Sequence, residues 1–522
     1  MAAESNLVQH AAWRFASTIA LSLVGLVTVP VFARLLGMEQ WGLLALFQAA
    51  LAPMALLELG VATATVKYVA EAIGRGDPEG ATQTVQTTLI FNFVVGSCGC
   101  VGLVLVARLL ASRIFAIPPE LQELATTGFR LIGLNWFAGL VNVTYSGVLV
   151  AHRLFGRASR LRTLSGLCTG GGGVLTVFLG GGLLDVVVVQ TLVNLMMMAF
   201  WFGAASRSLP GLRALPRWHG ALFRRSLSMG AWQALAAAGG LVANWSDRYI
   251  LGSRFSPATV GVYAIAFSMV GAGYGTFHEM GEVLFPAVSQ KQGAGAVGDA
   301  RRVSLQAGWA LSTVFGIVMA VMATVGGDFI SLWVSPAAAQ QGTAVLRLLC
   351  VGCIMGMAFT GPLFLCLGLG KSRLLAVSSL VTGVVVLCLG LFLTSRVGLT
   401  GVGWAMIGGV LAQWLVLLQI ALRVYLPEIR LAEFALCVWA PPAAAVAVLA
   451  LLVKIHDAVA GPPSWLRLAA ECAVSLLLAA ALQLAFNEVL PGGRQRRKLL
   501  VSLLALLGIR LSAARADGLP AK

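Results

Sequence analysis

Charged residues are scarce in this chain of 522 residues, of which only 11% are Asp, Glu, Lys or Arg. Soluble domains carry about 25% charged residues, so these few charges could not solvate the surfaces of several soluble domains. Hydrophobic residues make up 59% of the chain, and its mean hydropathy is +0.89. The composition excludes a soluble enzyme, a secreted disulfide scaffold and a disordered chain, and it predicts a polytopic membrane protein.

Long polar segments are missing as well. A membrane-spanning helix needs about 20 mostly apolar residues, and the chain holds fourteen such runs, which we call spans 1 to 14 in chain order. They cover about residues 11–33, 41–70, 84–107, 126–151, 163–181, 184–205, 226–250, 258–287, 304–325, 343–369, 373–394, 400–422, 432–453 and 465–489. The short connections leave no room for an ATPase domain, a glycosyltransferase domain or a large catalytic loop. We therefore expect an all-α membrane protein of about fourteen transmembrane helices that is not an enzyme.

Complete metal-binding, nucleotide-binding and export motifs are also missing. Two cysteine pairs with metal-like spacing have no second pair across a loop, a P-loop-like stretch lacks its leading glycine, and a zinc-helix-like stretch lacks its second His. The incomplete motifs are Cys98-x-Cys100, Cys350-x-x-Cys353, residues 368–372 and residues 278–282. The N-terminus has no charged stretch followed by a short apolar core and a cleavage site, so span 1 is predicted to be an uncleaved anchor. We expect no metal and no cofactor.

Lys and Arg are distributed unevenly between alternate connections. With the N-terminus placed inside, 25 of them lie in the inside connections, 8 in the outside connections and 3 within spans. Cytoplasmic loops of membrane proteins carry an excess of Lys and Arg. The bias predicts that both termini are cytoplasmic, and it accounts for the net charge of +16 without nucleic-acid binding.

The two halves of the chain resemble each other. Trp41-Gly42-Leu-Leu-Ala45 at the start of span 2 matches Val260-Gly261-Val-Tyr-Ala264 at the start of span 8. Arg130-Leu-Ile in span 4 likewise matches Arg347-Leu-Leu in span 10. Six spans per repeat is an even number, so the repeats are parallel and related by an axis along the membrane normal. We predict two six-span lobes around a central site.

The predicted boundaries follow from this repeat. The lobes cover residues 1–210 and 211–425, and two further spans cover residues 426–490. Residues 491–522 begin with the basic run Arg494-Gln-Arg-Arg-Lys498. They are predicted to form a basic amphipathic helix on the anionic lipids of the cytoplasmic leaflet.

Charged side chains within the spans and at their ends are candidates for function, because each is costly in the membrane unless it is paired or hydrated. The acidic candidates for coupling to H⁺ or Na⁺ are Glu58, Asp247, Glu279 and Glu282. The basic candidates for binding a substrate phosphate, which guanidinium groups contact in a bidentate manner, are Arg14, Arg130, Arg248 and Arg347. The alternative for Asp247 and the last three arginines is a structural role as interfacial anchors or inter-helix pairs.

The spans that carry these residues also resemble a known family. The stretches concerned are Arg14-Phe-Ala-Ser with Pro30-Val-Phe-Ala-Arg34-Leu-Leu-Gly37, Leu57-Glu58-Leu-Gly60, Trp245-Ser-Asp247-Arg248-Tyr-Ile-Leu-Gly252, and Leu284-Phe-Pro286. They are similar to oligosaccharide flippases, the polysaccharide-synthesis branch of the MOP superfamily. That superfamily also holds the lipid II flippases and the multidrug (MATE) exporters.

The resemblance implies a MATE-like fold and alternating access. It further implies a polyprenyl-pyrophosphate-linked oligosaccharide as substrate, carried across the bacterial inner membrane for O-antigen, capsule or exopolysaccharide, with a polymerase and glycosyltransferases as partners. Lipid II flippases place several arginines in helices 1, 2 and 8, whereas spans 2 and 8 here carry Glu58, Glu279 and Glu282. This difference favours an oligosaccharide other than lipid II. The alternative within the superfamily is a MATE-type multidrug or cation antiporter.

Overall fold

The structure is a computed structural model of the chain. It describes residues 2–58, 61–152, 154–212, 217–220, 231–282, 296–425, 429–459 and 461–489, together with positions 284, 288 and 291. The side chains of residues 2–16, 19, 58, 61–64, 231–236, 282, 372 and 487–489 lie outside this description. The predicted tail at 491–522 lies outside it entirely.

The described residues form helices and no strands. In chain order the helices are α1 (Ala2–Leu35), α2 (Met38–Leu51), α3 (Val61–Gly74), α4 (Pro78–Leu109), α5 (Pro119–Ala151), α6 (Phe155–Phe178), α7 (Leu183–Ser208), α8 (Ala231–Arg254), α9 (Pro257–Glu282), α10 (Val297–Trp333), α11 (Pro336–Met357), α12 (Thr360–Gly368), α13 (Ser372–Val397), α14 (Thr400–Ile420), α15 (Leu431–Val438), α16 (Ala440–Val459) and α17 (Trp465–Val489). A 3₁₀ segment, Ala52–Glu58, follows α2. Short π-helical turns extend α4 to Ile114 and α14 to Tyr425.

Local sequence signals fix several helix starts. Asp77 precedes Pro78, and its side chain accepts a 2.8 Å hydrogen bond from the backbone N–H of Gly80. Ser335 precedes Pro336 in the same way and caps α11. Proline at the first helical position and a capping oxygen before it are the expected pattern, because the first turn of a helix has unpaired N–H groups.

The predicted spans agree with the observed helices. Each of the fourteen runs overlaps a helix, which confirms the all-α membrane fold. Among the described residues, eleven helical stretches are long and apolar enough to cross a membrane. The three runs without such a stretch lie on α1, α6 and α8. In α1 the apolar stretch, Ala20–Leu35, is shorter than each of the eleven. The count of fourteen crossings therefore stays a prediction.

The first of two compact units comprises residues 1–265 and 379–402. One apolar cluster in this unit joins α3, α4, α5 and α7 around Val85, Val148 and Trp201. The glycines of α6 meet side chains of α1: a Cβ at Gly166 would lie 2.0 Å from Leu21 Cδ2, and one at Gly170 would lie 2.3 Å from Val24 Cγ1. Small residues of this kind let two membrane helices approach each other closely.

The second unit comprises residues 266–378 and 403–522. Its core is built on α10 and is centred on Trp309, Tyr425 and Phe434. The Ser304 hydroxyl donates a 2.8 Å hydrogen bond to the carbonyl of Gly361 and lies 2.9 Å from the hydroxyl of Tyr425. The predicted lobe boundaries at 210, 425 and 490 stay predictions.

Candidate substrate site

The start of α2 packs against the start of α9 with almost no space between the two backbones. A Cβ at Gly42 would lie 1.7 Å from the carbonyl oxygen of Pro257, and a Cβ at Gly261 would lie 2.7 Å from the carbonyl oxygen of Met38. The indole Nε1 of Trp41 donates a 3.1 Å hydrogen bond to the carbonyl of Gly261. Only glycine permits this approach at either position, so the two glycines fix how α2 and α9 sit against each other.

Further along the chain, α2 loses its regular geometry. Its last α-helical residue is Leu51, and residues Ala52–Glu58 form a 3₁₀ segment that contains Pro53. Proline removes a backbone donor and clashes with the preceding turn, and 3₁₀ stretches within helices often mark functional hinges. Transporters of several folds form their substrate sites where a membrane helix is interrupted.

A cavity of about 500 Å³ lies at this interruption. It is lined by the end of α2, the 3₁₀ segment, α5 and α8, and all of its lining residues belong to the first unit. The lining residues are Gln48, Leu51, Ala52, Ala55, Leu56, Trp136, Ala237, Gly240, Leu241, Asn244 and Trp245. Apolar walls with two indoles and two amides are suited to an amphipathic ligand, because few polar groups orient it while aromatic surfaces contact the rest.

A buried charge cluster lies one turn beyond the cavity wall on α8. Asp247 is 5% exposed and Arg248 is 8% exposed. The Asp247 carboxylate accepts hydrogen bonds from the hydroxyl of Tyr263 and, at 2.7 Å, from the backbone N–H of Arg248. The Arg248 guanidinium lies 3.4 Å from Asp247 Oδ1 and donates to the carbonyl of Asn244 at 3.1 Å. The two opposite charges therefore balance each other within a buried site.

The guanidinium of Arg248 also contacts the cavity wall. Its Cζ lies 4.5 Å from the centre of the Trp245 ring, within cation–π distance. Arg248 is therefore in contact with Trp245, a residue that lines the cavity. The phosphate-binding role of Arg248 and the ion-coupling role of Asp247 stay predictions.

Arg347 is engaged with an acidic side chain in the second unit. Its Nη1 and Nη2 donate to Asp457 Oδ2 at 3.1 Å and Oδ1 at 2.7 Å, and its Nε donates to the carbonyl of Ala323 at 3.3 Å. The pair joins α11 to α16 and is partly exposed. A phosphate would need the same bidentate contact with the guanidinium. In this structure the carboxylate of Asp457 makes that contact.

The remaining candidates lie on other helices or outside the description. Arg130 is exposed on α5, and Glu279 is partly buried on α9. The neighbour of Glu279, His278, has its ring 5.4 Å from that of Phe364. The side chains of Arg14, Glu58 and Glu282 lie outside the described residues.

Several residues of this site are not among the functional residues predicted from the sequence. Tyr263 lies two residues after Gly261 in the repeated motif, and this position is the one signal that could have found it. Gln48, Trp136 and Asn244 are single polar or aromatic residues inside apolar runs. Their roles depend on which face of each helix turns toward the cavity, and hydropathy alone does not fix that face.

The comparisons with known proteins agree with this fold. The family described as "Polysaccharide biosynthesis protein" matches residues 7–292, more than half of the chain. The chain belongs to that family. No curated protein matches the chain.

Solved structures with a similar fold come from the MOP superfamily. The lipid II flippase MurJ in an inward closed conformation has a TM-score of 0.67 at 12% identity, over 91% of this chain and 98% of that one. An inward-facing multidrug resistance MATE transporter has a TM-score of 0.62 at 16% identity, over 79% and 98%. A point mutant of the Vibrio cholerae MATE transporter VcmN has a TM-score of 0.59 at 16% identity, over 80% and 97%. The protein is a multi-pass membrane protein with the MOP transporter fold.

Proposed function

We propose that this protein is a flippase that translocates a polyprenyl-pyrophosphate-linked oligosaccharide across the bacterial inner membrane by alternating access. The translocated unit would serve surface polysaccharide synthesis: O-antigen, capsule or exopolysaccharide. The observation that carries the proposal is the match of residues 7–292 to the polysaccharide biosynthesis protein family. A lipid II flippase of the same fold, matched over nearly its whole length, supports the kind of substrate.

The side chains that line the cavity are chemically suited to such a substrate. The amides of Gln48 and Asn244 can hydrogen-bond sugar hydroxyl groups, and the indoles of Trp136 and Trp245 offer flat apolar surfaces. Arg248, which contacts the ring of Trp245, adds a positive charge next to a lining residue. The 3₁₀ segment after α2 gives the wall a hinge at Ala52–Glu58, where the change between the two access states can take place.

The proposed setting follows the predicted topology. Both termini are cytoplasmic, glycosyltransferases supply the substrate from that side, and a polymerase consumes it on the other. Coupling to H⁺ or Na⁺ would use Glu58, Asp247, Glu279 and Glu282. Arg14, Arg130 and Arg248 are the candidates for contact with the pyrophosphate, whereas Arg347, the fourth predicted candidate, makes its bidentate contact with Asp457.

A multidrug or cation antiporter is the second candidate. The observations that favour it are the MATE structures among the similar folds and the buried carboxylate of Asp247 beside an aromatic cavity wall. Carboxylates and aromatic rings bind organic cations. An antiporter of this kind would respond to drugs and not to the supply of lipid-linked sugar.

Deletion of the gene separates the two candidates. The flippase proposal predicts that the lipid-linked repeat unit accumulates on the inner leaflet, that surface polysaccharide is lost, and that drug sensitivity does not change. Complementation with the wild-type gene should restore the polysaccharide. Normal polysaccharide with increased drug sensitivity would contradict the flippase proposal and favour the antiporter.

A further inference from the structure

Three metal-ligating side chains from three helices of the second unit meet at one end of α10. Asp328 comes from α10, His456 from α16 and Glu471 from α17. One ligand atom from each of them lies within 4.8 Å of the other two. The side chain of His456 is 9% exposed, and those of the two acids are 23% exposed.

The contacts within this cluster are close but do not amount to hydrogen bonds. His456 Nε2 lies 3.8 Å from Asp328 Oδ2, and His456 Nδ1 lies 3.3 Å from Glu471 Oε2. Glu471 Oε2 is buried and accepts no hydrogen bond from the residues that the structure describes. A buried carboxylate oxygen without a donor is costly, so a cation at this point would satisfy it.

The second oxygen of Glu471 is held by Arg467. Arg467 Nε donates to Glu471 Oε1 at 2.5 Å, one turn away on α17, and its Nη2 donates to the carbonyl of Val459 at 3.2 Å. This contact fixes the carboxylate with Oε2 toward His456. Metal-binding carboxylates are commonly oriented by such an outer hydrogen bond.

The arginines nearest the cluster are already paired with carboxylates. Asp457, next to His456, is already paired with Arg347, and Arg467 pairs with Glu471. The Asp328 carboxylate lies beside the His456 imidazole, with Oδ2 and Nε2 3.8 Å apart. The ring of Phe329, the next residue on α10, lies 6.3 Å from that of Trp465 on α17, so an aromatic contact adjoins the cluster.

We propose that Asp328, His456 and Glu471 form a site for a divalent transition-metal ion such as Zn²⁺, which links α16 and α17 to α10. Zn²⁺ accepts imidazole and carboxylate ligands at about 2.0–2.2 Å, which places two ligand atoms roughly 3–4 Å apart. The observed separations, up to 4.8 Å, reach that range with small rotations of the two carboxylates. Imidazole favours Zn²⁺ and its neighbours over Mg²⁺ and Ca²⁺. The predicted topology places this end of the helices on the extracytoplasmic side.

Metal titration of the purified full-length protein tests the proposal. The protein is stripped with EDTA, its nine cysteines are alkylated, and Zn²⁺ is added in a calorimeter while the melting temperature is followed in parallel. We expect saturable uptake of one ion per chain and a rise in melting temperature. The variants His456→Gln, Asp328→Asn and Glu471→Gln should each bind at least about tenfold more weakly, since even loss of an outer-shell partner costs 10–100-fold in affinity. Their melting temperatures should no longer respond to Zn²⁺.

His278→Gln is the matched control, because His278 lies in the same unit but contacts Tyr274 and Phe364 instead. It should bind Zn²⁺ like the wild type. The proposal is overturned if the wild type takes up no stoichiometric metal, or if all three cluster variants bind as tightly as the control. If His456→Gln does not fold, the two carboxylate variants, which keep the side-chain size, decide the question.

Discussion

Gly42 in α2 and Gly261 in α9 contact each other through their backbones, and they occupy equivalent positions of the internal repeat. The contact is reciprocal: Gly42 meets the carbonyl of Pro257, and Gly261 meets that of Met38. Met38 precedes Gly42 by four residues, as Pro257 precedes Gly261. When each of two equivalent segments makes the same contact with the other, the two segments are related as they would be by a two-fold axis. A repeat detected in the sequence thus forms a local two-fold contact at this point.

Alanine at this contact should destabilise the protein. Gly42→Ala places a methyl group 1.7 Å from a backbone oxygen that no side-chain rotation can move. Overpacking of this kind costs about 1–3 kcal/mol or more of unfolding free energy, measurable by titration with a denaturing detergent. Gly25→Ala in α1 is the control, because its Cβ would meet nothing within 4 Å. Equal stability of the two variants would contradict the observed contact.

The buried pair Asp247–Arg248 should be far more sensitive to loss of one partner than to loss of both. Asp247→Asn removes the carboxylate that lies against the buried guanidinium of Arg248, and breaking a buried ion pair in this way costs about 3–5 kcal/mol. The double variant Asp247→Asn, Arg248→Gln removes both charges and should recover much of that loss. Unfolding of the two variants in one detergent measures the difference. A double variant less stable than Asp247→Asn would contradict the proposed balance of charge.

Arg347 and Asp457 should behave as a structural pair. Both side chains are partly exposed, so Arg347→Gln and Asp457→Asn should each cost less than about 1 kcal/mol, and the double variant should cost no more than either one. We expect substrate translocation to remain near the wild-type level in all three. Loss of translocation in Arg347→Gln with normal activity in Asp457→Asn would instead make Arg347 a substrate ligand.

Much of the fold could be predicted from the sequence, because hydropathy and helix caps act locally. All fourteen apolar runs overlap helices. The 3₁₀ segment after α2 could not be predicted, although Pro53 is visible in the run. A single proline in an apolar stretch does not say whether the helix kinks, ends or changes its pitch.

The pairing of charged residues could not be predicted in the same way. Arg347 and Asp457 are 110 residues apart in the chain, and Asp328, His456 and Glu471 come from three separate helices. Their contacts depend on the rotation of each helix about its own axis, which the hydropathy of a membrane helix constrains weakly. Asp247 and Arg248 can be found because they adjoin in the sequence, whereas the only sequence signal for their partner Tyr263 is its place two residues after Gly261 in the repeated motif.

The carboxylates of spans 2 and 8 should be needed for transport and not for folding. Glu58→Gln and Glu279→Gln remove a group that can bind H⁺ or Na⁺ while keeping its size. We expect transport to fall roughly tenfold, equivalent to about 1.4 kcal/mol, with unchanged abundance in the membrane. Glu79→Gln, in the first turn of α4, is the control. Normal transport in both test variants would remove these residues from the mechanism.

Reconstitution into liposomes tests the central claim most directly. The purified protein is placed in vesicles that hold a fluorescent polyprenyl-pyrophosphate-linked oligosaccharide, and an enzyme or quencher added outside reports how much of it is accessible. We predict that about half of the labelled lipid is accessible without protein, and that accessibility rises toward completion only when the protein is present. Unchanged accessibility in vesicles where the same protein expels organic cations would contradict the flippase account.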